Sequence, residues 1–133
     1  MKLAIHSAIA CVILLWLAAA LAGCGGVPSA SAPDGSETAA VIAVIDGDTI
    51  DVLLGGQTQR VRYILINTPE AGEPFGAAST AANRALVDGK LVRLVKDVAE
   101  TDRFGRLLRY VYLPDGRFVN AELVRQGYAQ LAT

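Results

Sequence analysis

The segment VRYILINTPE, from Val61 to Glu70, restricts the fold of this chain more than any other stretch. Its apolar side chains fall on both faces of a strand, which is the pattern of a strand buried on both sides. Arg62 interrupts the face that carries Ile64 and Ile66, and an unpaired guanidinium on a buried face is unfavourable. Pro69 bars continuation as a central strand, because it cannot donate a ladder hydrogen bond. The segment therefore predicts a central strand that brings one cation to an anion and ends in a polar loop.

The first 23 residues have the pattern of an export signal. Lys2 is their only formally charged side chain, and an apolar run rich in alanine and leucine covers residues 8–22. This run is short for a membrane span, which needs about 20 apolar residues. We therefore expect a cleaved signal peptide over residues 1–23, with an uncleaved anchor helix as the alternative.

The residues at the end of this run resemble the lipobox of bacterial lipoproteins, with the sequence Leu21-Ala22-Gly23-Cys24. The resemblance implies lipidation of the Cys24 thiol and attachment to the bacterial cell envelope, on its periplasmic or extracellular face. Residues 24–40 follow and are rich in Ser, Ala, Gly and Pro, with a single valine. They cannot bury enough apolar surface to fold, so we predict a flexible tether that leads into a folded domain over residues 41–133.

The cysteine and histidine inventory excludes several classes of catalytic site. Cys11 and His6 leave with the signal peptide, and Cys24 would carry lipid, so the mature chain has no free thiol and no imidazole. Serine–histidine and cysteine–histidine catalysis and Cys/His zinc sites are thereby excluded. Catalysis must use carboxylates, arginine, lysine, tyrosine and hydroxyls, with or without a hard, oxygen-liking metal. The net charge of −1 also excludes a global attraction to nucleic acid, so any anion site must be local.

Short apolar segments separated by turn signals make up the remaining residues. They predict a β-rich α+β domain, namely a small five-stranded barrel of the OB type with an inserted helix and a second helix near the C-terminus. The predicted strands are residues 41–45, 50–54, 57–66, 90–98 and 107–113, and the predicted helices are residues 77–87 and 121–126.

Two polar clusters interrupt this pattern. Asp46 and Asp48 would share one strand face, where two carboxylates repel each other unless a cation or a hydrogen-bond donor lies between them. The cluster Asn67, Thr68 and Glu70 offers amide, carbonyl and carboxylate oxygens within four residues. Both clusters are compatible with ordinary polar turns. Both are also compatible with oxygen ligands for a hard cation, and the second cluster with a general base as well.

A third polar segment, DRFGR, ends in Arg106. This segment is either a solvated loop or a loop that aims a second guanidinium, that of Arg106, at an anion. Gly105 would then allow the anion to approach closely. Together with VIDGDTIDV, VRYILINTPE and VNAELVRQGYA, in this order, the segment resembles the staphylococcal nuclease, or thermonuclease, family over about residues 41–127. The resemblance implies a monomeric OB-fold enzyme that uses calcium to hydrolyse phosphodiester bonds of DNA and RNA.

Matching positions carry the family's metal site onto this chain. The resemblance implies that Asp48, Asn67 and the Thr68 carbonyl hold calcium and that Asp46 acts beside them through water. Asn67 stands where the best-known members of the family have an aspartate. We expect its amide oxygen to coordinate calcium, but with less negative charge in the site.

The resemblance also assigns the catalytic residues. Arg62 and Arg106 match the two arginines that grip the scissile phosphate, so the anion of Arg62 would be a phosphate. Glu70 matches the proposed general base. Binding alone does not need that carboxylate, which favours an envelope-tethered nuclease over a nucleic-acid-binding OB module or a nuclease without useful turnover. Asn67 and the stop at Thr133, before the family's usual C-terminal helix, favour the alternative. The stop at Thr133 also leads us to expect a marginal fold.

Overall fold

The computed structural model of the protein describes residues 35–133. The predicted signal peptide, its lipidation site at Cys24 and most of the predicted tether lie outside the described residues. Within residues 35–133, none of the helices is both long enough and apolar enough to cross a membrane.

The elements are β1 (Glu37–Val44), β2 (Thr49–Leu54), β3 (Gln57–Tyr63), β4 (Ile66–Asn67), α1 (Gly76–Val87), β5 (Leu91–Thr101), β6 (Leu107–Tyr112), α2 (Val119–Arg125) and β7 (Gln130–Leu131). Five of the strands close into a barrel in the order β1–β2–β3–β6–β5, in which only β3 and β6 run parallel. A two-stranded sheet of β4 and β7 and two helices complete the fold, which confirms the predicted small α+β barrel.

The core fills the inside of the barrel, because alternate residues of each strand point inward. On β2 and β3, Ile50, Val52 and Val61 are fully buried, and each such side chain contributes about 1.5–3 kcal/mol by leaving water. The helices add Val87 and Leu123 to the same cluster. Residues that alternate with the core, including Arg62, therefore lie on the outer wall of the barrel.

The predicted third strand, residues 57–66, was wrong at its end. β3 stops at Tyr63, and the chain turns through Ile64 and Leu65, whose φ of 65° is in the left-handed region. The fully buried Asn120 stabilises this turn, since its amide donates to the Ile64 carbonyl at 2.9 Å. Apolar alternation cannot reveal such a turn, because Ile64 and Leu65 are as apolar as a strand would be.

The predicted first strand, residues 41–45, was wrong at its start. β1 begins at Glu37 and pairs with β5 from Glu37↔Leu94 to Ala40↔Leu91, so residues 37–40, predicted as the end of the tether, belong to this strand. Small side chains such as Ala39, which is buried, carry little hydrophobic signal. Their place in the barrel comes from backbone pairing with a strand that lies about fifty residues later in the chain.

Candidate active site

A tight loop before β2 carries the first two carboxylates of the site. Asp46 accepts a hydrogen bond from the Asp48 amide at 3.0 Å, which closes the loop around Gly47. A side chain at position 47 would collide with Thr68, because a Cβ there would lie 2.7 Å from the Thr68 Cβ and Oγ1. Glycine at position 47 therefore lets the two predicted ligand segments, residues 46–48 and residues 67–68, approach each other.

Asp48 is the most buried acidic residue of the site, at 5% exposure. Its Oδ2 accepts a hydrogen bond from the Thr68 amide at 2.8 Å and lies 3.2 Å from Nη2 of Arg62. Its Oδ1 accepts a hydrogen bond from the Thr49 hydroxyl at 3.1 Å. Burial raises the pKa of Asp48 above its ordinary value, and the Arg62 charge and the Thr68 amide only partly offset that effect.

The Arg62 guanidinium lies where acceptors from separate segments converge. Its Nη2 donates to Oδ1 of Asn67 at 2.5 Å, next to the Asp48 carboxylate, and its Nη1 donates to the Tyr63 carbonyl at 2.5 Å. The structure thus brings together Asp48, Arg62, Asn67 and Thr68, which the sequence predicted as parts of one site. The side chain of Arg62 is 16% exposed, so part of it reaches solvent.

Glu70 lies on the loop after β4 and is not part of this contact network. Its amide donates to the Glu73 carboxylate at 2.9 Å, and its carbonyl accepts from the Glu73 amide at 2.9 Å. Gly76 is required below it, because a Cβ at position 76 would lie 1.9 Å from that carbonyl. The Glu70 carboxylate itself is exposed, with no hydrogen bond or ion pair to any residue from 35 to 133.

Arg106 lies in a neighbouring groove of the outer wall, just before β6. Its Nε donates to Oδ2 of Asp102 at 2.7 Å, and its amide donates to the same carboxylate at 3.0 Å. The structure therefore places a second guanidinium on the same wall, but it gives Arg106 no direct contact with Arg62. The groove is lined by Asp51, Thr58, Arg60, Phe104, Gly105 and Arg106.

Two buried residues support the site and were missed by the sequence analysis. The Tyr63 hydroxyl donates to Oδ1 of Asn83 at 2.8 Å, and the Asn83 amide donates to the Asp46 carbonyl at 2.9 Å. Asn83 has no exposed surface and Tyr63 has 1%. Asn83 shares a helix face with Leu86 and Val87, three and four residues on, and a polar residue on that apolar face was the available signal.

The residues around Arg62 fit a hard cation by the chemistry of their donors. Asp48 Oδ2 and Asn67 Oδ1 both point at one positively charged group, the Nη2 of Arg62. Carboxylate and amide oxygens are ligands that calcium accepts. No three Asp, Glu, His or Cys side chains form a metal-binding group within residues 35–133. A cation here would therefore take amide and carbonyl oxygens, from Asn67 and Thr68, as well as carboxylate oxygens.

Comparison with known proteins decides the family. Residues 60–133 match the family described as Staphylococcal nuclease homologue. The chain belongs to the staphylococcal nuclease family. Family membership confirms the resemblance predicted from the four motifs. The matched residues include Arg62, Asn67, Thr68, Glu70 and Arg106.

Relatives within the family carry nuclease names. The chain is 42% identical over 89 residues to an uncharacterized endonuclease of Escherichia coli, which covers 67% of this chain and 57% of the relative. It is 39% identical over 95 residues to Endonuclease YncB of Bacillus subtilis, covering 66% of this chain and 44% of the relative. It is 36% identical over 129 residues to the Thermonuclease of Staphylococcus intermedius, covering 92% and 75%. The chain spans about half the length of the first two relatives.

Proposed function

We propose that this protein is a nuclease that hydrolyses phosphodiester bonds of DNA, RNA or both. The observation that carries the proposal is the convergence of Asp48 and Asn67 on the Arg62 guanidinium, within a chain of the staphylococcal nuclease family. The endonuclease and thermonuclease names of the relatives support the same reaction class.

Two guanidiniums on one wall suit the charge that develops during this reaction. Hydrolysis of a phosphodiester places negative charge on the phosphate oxygens, and fixed donors aimed at that charge lower the barrier. The planar fork of arginine matches two phosphate oxygens, which the point charge of lysine does not. Arg62 and Arg106 each rest against an aspartate in this structure, and a bound phosphate would take over their donors.

The Glu70 carboxylate suits the role of general base or water-orienting group. It is exposed and, among the described residues, has no partner that competes for its oxygens. It lies on a loop anchored at both ends, by the β4–β7 pairing and by the start of α1 at Gly76. A carboxylate in this position can accept a proton from the attacking water or orient it.

Calcium is the metal that we propose for this site. Asp48, Asn67 and the Thr68 carbonyl would hold it, with Asp46 acting through water, and these donors fit a hard cation as described above. When bound, the metal would supply Lewis-acid polarisation of a phosphate oxygen. The protein's own part is to keep these oxygens close together, which Gly47 permits and the amide of Thr68 reinforces.

We further propose that the protein works as a monomer on a lipid anchor at Cys24, outside the cytoplasm. The support is the lipobox-like sequence at residues 21–24, which lies beyond the described residues. Replacing Cys24 with serine should release the protein from the membrane fraction or trap an unprocessed precursor. Unchanged processing and unchanged fractionation would contradict the anchor.

A direct experiment tests the nuclease proposal. The chain without residues 1–23 is incubated with single-stranded DNA and with RNA, in calcium or in chelator, and the products are separated by length. We expect cleavage in calcium and none in chelator. Binding without cleavage in calcium would favour the alternative of a nucleic-acid-binding module, for which the specific observation is Asn67, a neutral residue in the proposed metal site.

A further inference from the structure

Three arginines on the outer wall of the barrel each rest against an aspartate. Two of them are the predicted phosphate-gripping residues, and the third belongs to no predicted site. The three pairs are Arg62 with Asp48 at 3.2 Å, Arg106 with Asp102 at 2.7 Å, and Arg60 with Asp51 at 2.8 Å.

The strand register aligns the third arginine with the other two. Arg60 and Arg62 are two residues apart on β3, so both point outward, with their Cα atoms about 6.7 Å apart. Val61 pairs with Leu107 of the parallel strand β6, which sets Arg106 beside Arg60. Arg60 and Arg106 accordingly line the same groove. Arg60 and Arg62 therefore follow the direction of β3, and Arg106 lies to the side of Arg60, just before β6.

Arg60 is available to a ligand in a way that a structural arginine is not. Its side chain is 50% exposed, and its Nε and Nη2 contact Asp51 in a bidentate pair at 2.8 and 3.0 Å. Exposed ion pairs contribute little net stability, because water screens the charges and ordering the side chains is unfavourable. The same two donors can therefore leave the Asp51 carboxylate for a phosphate, whose oxygens present similar geometry.

We propose that Arg60 binds the substrate phosphate adjacent to the scissile one, so that a nucleic-acid strand lies along β3. The inference rests on the proposed nuclease function and extends it from one phosphate to two. The spacing of Arg60 and Arg62 is comparable with the distance between neighbouring phosphates of an extended single strand. Asp51 would serve as the resting partner that holds the Arg60 fork in position before substrate arrives.

The first test measures binding with turnover blocked by chelator. Anisotropy of a labelled single-stranded DNA of about twelve nucleotides is recorded between roughly 50 and 200 mM salt, for the full chain. Arg60→Gln should lower the slope of log affinity against log salt by about 0.7, the value for one phosphate contact on a single strand. Asp51→Asn should tighten binding, because it removes the competing carboxylate, and misfolding would not produce that result.

Arg117→Gln is the matched control. Arg117 is 54% exposed and pairs with Asp115 at 2.9 Å, so it resembles Arg60 in exposure and pairing, but it lies in the turn after β6. Its removal should leave the salt slope unchanged. Equal slopes for the Arg60→Gln and Arg117→Gln variants would overturn the proposal.

The second test uses turnover in calcium. For the DNA of about twelve nucleotides, Arg60→Gln should raise KM about fivefold at 100 mM salt. This factor follows if the salt slope changes by about 0.7 and the two affinities become equal at 1 M salt. KM should not change for a dinucleotide that has a single phosphodiester, and kcat should stay unchanged for both substrates. An equal loss on both substrates would overturn the neighbouring-phosphate assignment. A wild-type chain that cleaves while Arg60→Gln behaves normally overturns this inference alone, whereas a wild type that neither binds nor cleaves overturns the nuclease proposal as well.

Discussion

The two predicted phosphate-gripping arginines are held in different ways. Arg62 contacts the Asp48 carboxylate, the Asn67 amide oxygen and the Tyr63 carbonyl, and its side chain is 16% exposed. Arg106 pairs with the carboxylate of Asp102, four residues earlier, and lies 5.4 Å from the centre of the Phe104 ring, and its side chain is 30% exposed. The position of Arg62 therefore depends on the tertiary fold, whereas that of Arg106 depends on one local turn. A site built this way has one preset guanidinium and one that can adjust.

The largest expected effect comes from replacing the preset guanidinium. Arg62→Lys keeps the charge but loses the planar fork, so kcat should fall by roughly 10²–10³-fold, the usual loss for one donor to a developing oxyanion. KM should rise by a smaller factor, because the contact strengthens in the transition state. Steady-state kinetics on single-stranded DNA measure both.

Arg106→Lys is the companion variant, and it should also lower kcat by more than it raises KM. The melting temperature separates the two, since only Arg62 links separate segments of the fold. We expect Arg62→Lys to lower the melting temperature and Arg106→Lys to leave it nearly unchanged. Wild-type kinetics in either lysine variant would reject the phosphate-gripping role of that residue.

Replacing Asn83, which holds Tyr63 and the Asp46 loop beside Arg62, should have the next largest effect. Asn83→Ala leaves the Tyr63 hydroxyl and the Asp46 carbonyl buried without their partner, which should lower the free energy of unfolding by about 2 kcal/mol. Since Asn83 contacts the loop before β2, calcium affinity measured by calorimetry should also fall. Chemical denaturation measures the free energy of unfolding.

Ser79→Ala is a suitable control for Asn83→Ala. Ser79 is equally buried on α1, but its hydroxyl donates to the Tyr128 carbonyl at 2.8 Å and does not reach the Asp46 loop. It should lower stability without lowering calcium affinity. A parallel loss of calcium affinity in both variants would mean that Asn83 acts through stability alone.

A smaller effect is expected from restoring charge at position 67. Asn67→Asp should tighten calcium binding and lower the calcium concentration for half-maximal cleavage, because affinity follows the number of charged ligands. The Arg62 Nη2 lies between Asp48 and position 67, so the added carboxylate gains a partner and the calcium-free melting temperature should change little. Calorimetry and calcium titrations of activity measure these quantities.

Gln130→Glu adds the same charge nearby, on the strand residue that pairs with Asn67. It should have a weaker effect on calcium affinity than Asn67→Asp. If neither variant changes the calcium requirement, residue 67 is not a metal ligand.

The smallest expected effect concerns the ion pair of Arg106, the adjustable guanidinium, with Asp102. The pKa of Asp102 lies below its ordinary value: burial raises it, but hydrogen bonds from Arg106 and from the backbone lower it by more. Such a group contributes stability above its unfolded-state pKa and loses that stability as the pH falls through its folded-state pKa. Asp102→Asn should therefore cause a small loss of stability at neutral pH that vanishes in acid. A loss that persists in acid would contradict the ion pair as its cause.

Much of this arrangement followed from local signals in the sequence. The short apolar segments and the turn signals between them were enough to predict a small barrel, whereas the meeting of the segments around Asp48 and Asn67 was predicted only from the family resemblance. The end of β3 was not predictable, because the turn at Leu65 depends on Asn120, more than fifty residues later. The role of Asn83 was hidden for the same reason, since its partners belong to other elements.

The pairing of β4 with β7 has a consequence for the order in which the protein is made. Ile66 pairs with Leu131, Asn67 pairs with Gln130, and the Ala132 amide donates to the Leu65 carbonyl at 2.8 Å. A nascent chain that has completed all five barrel strands still lacks the partner for the backbone at Asn67. That backbone obtains its ladder hydrogen bonds only after residues 130–132 have left the ribosome. The barrel can therefore close around its core before the segment that carries Asn67 is held in place.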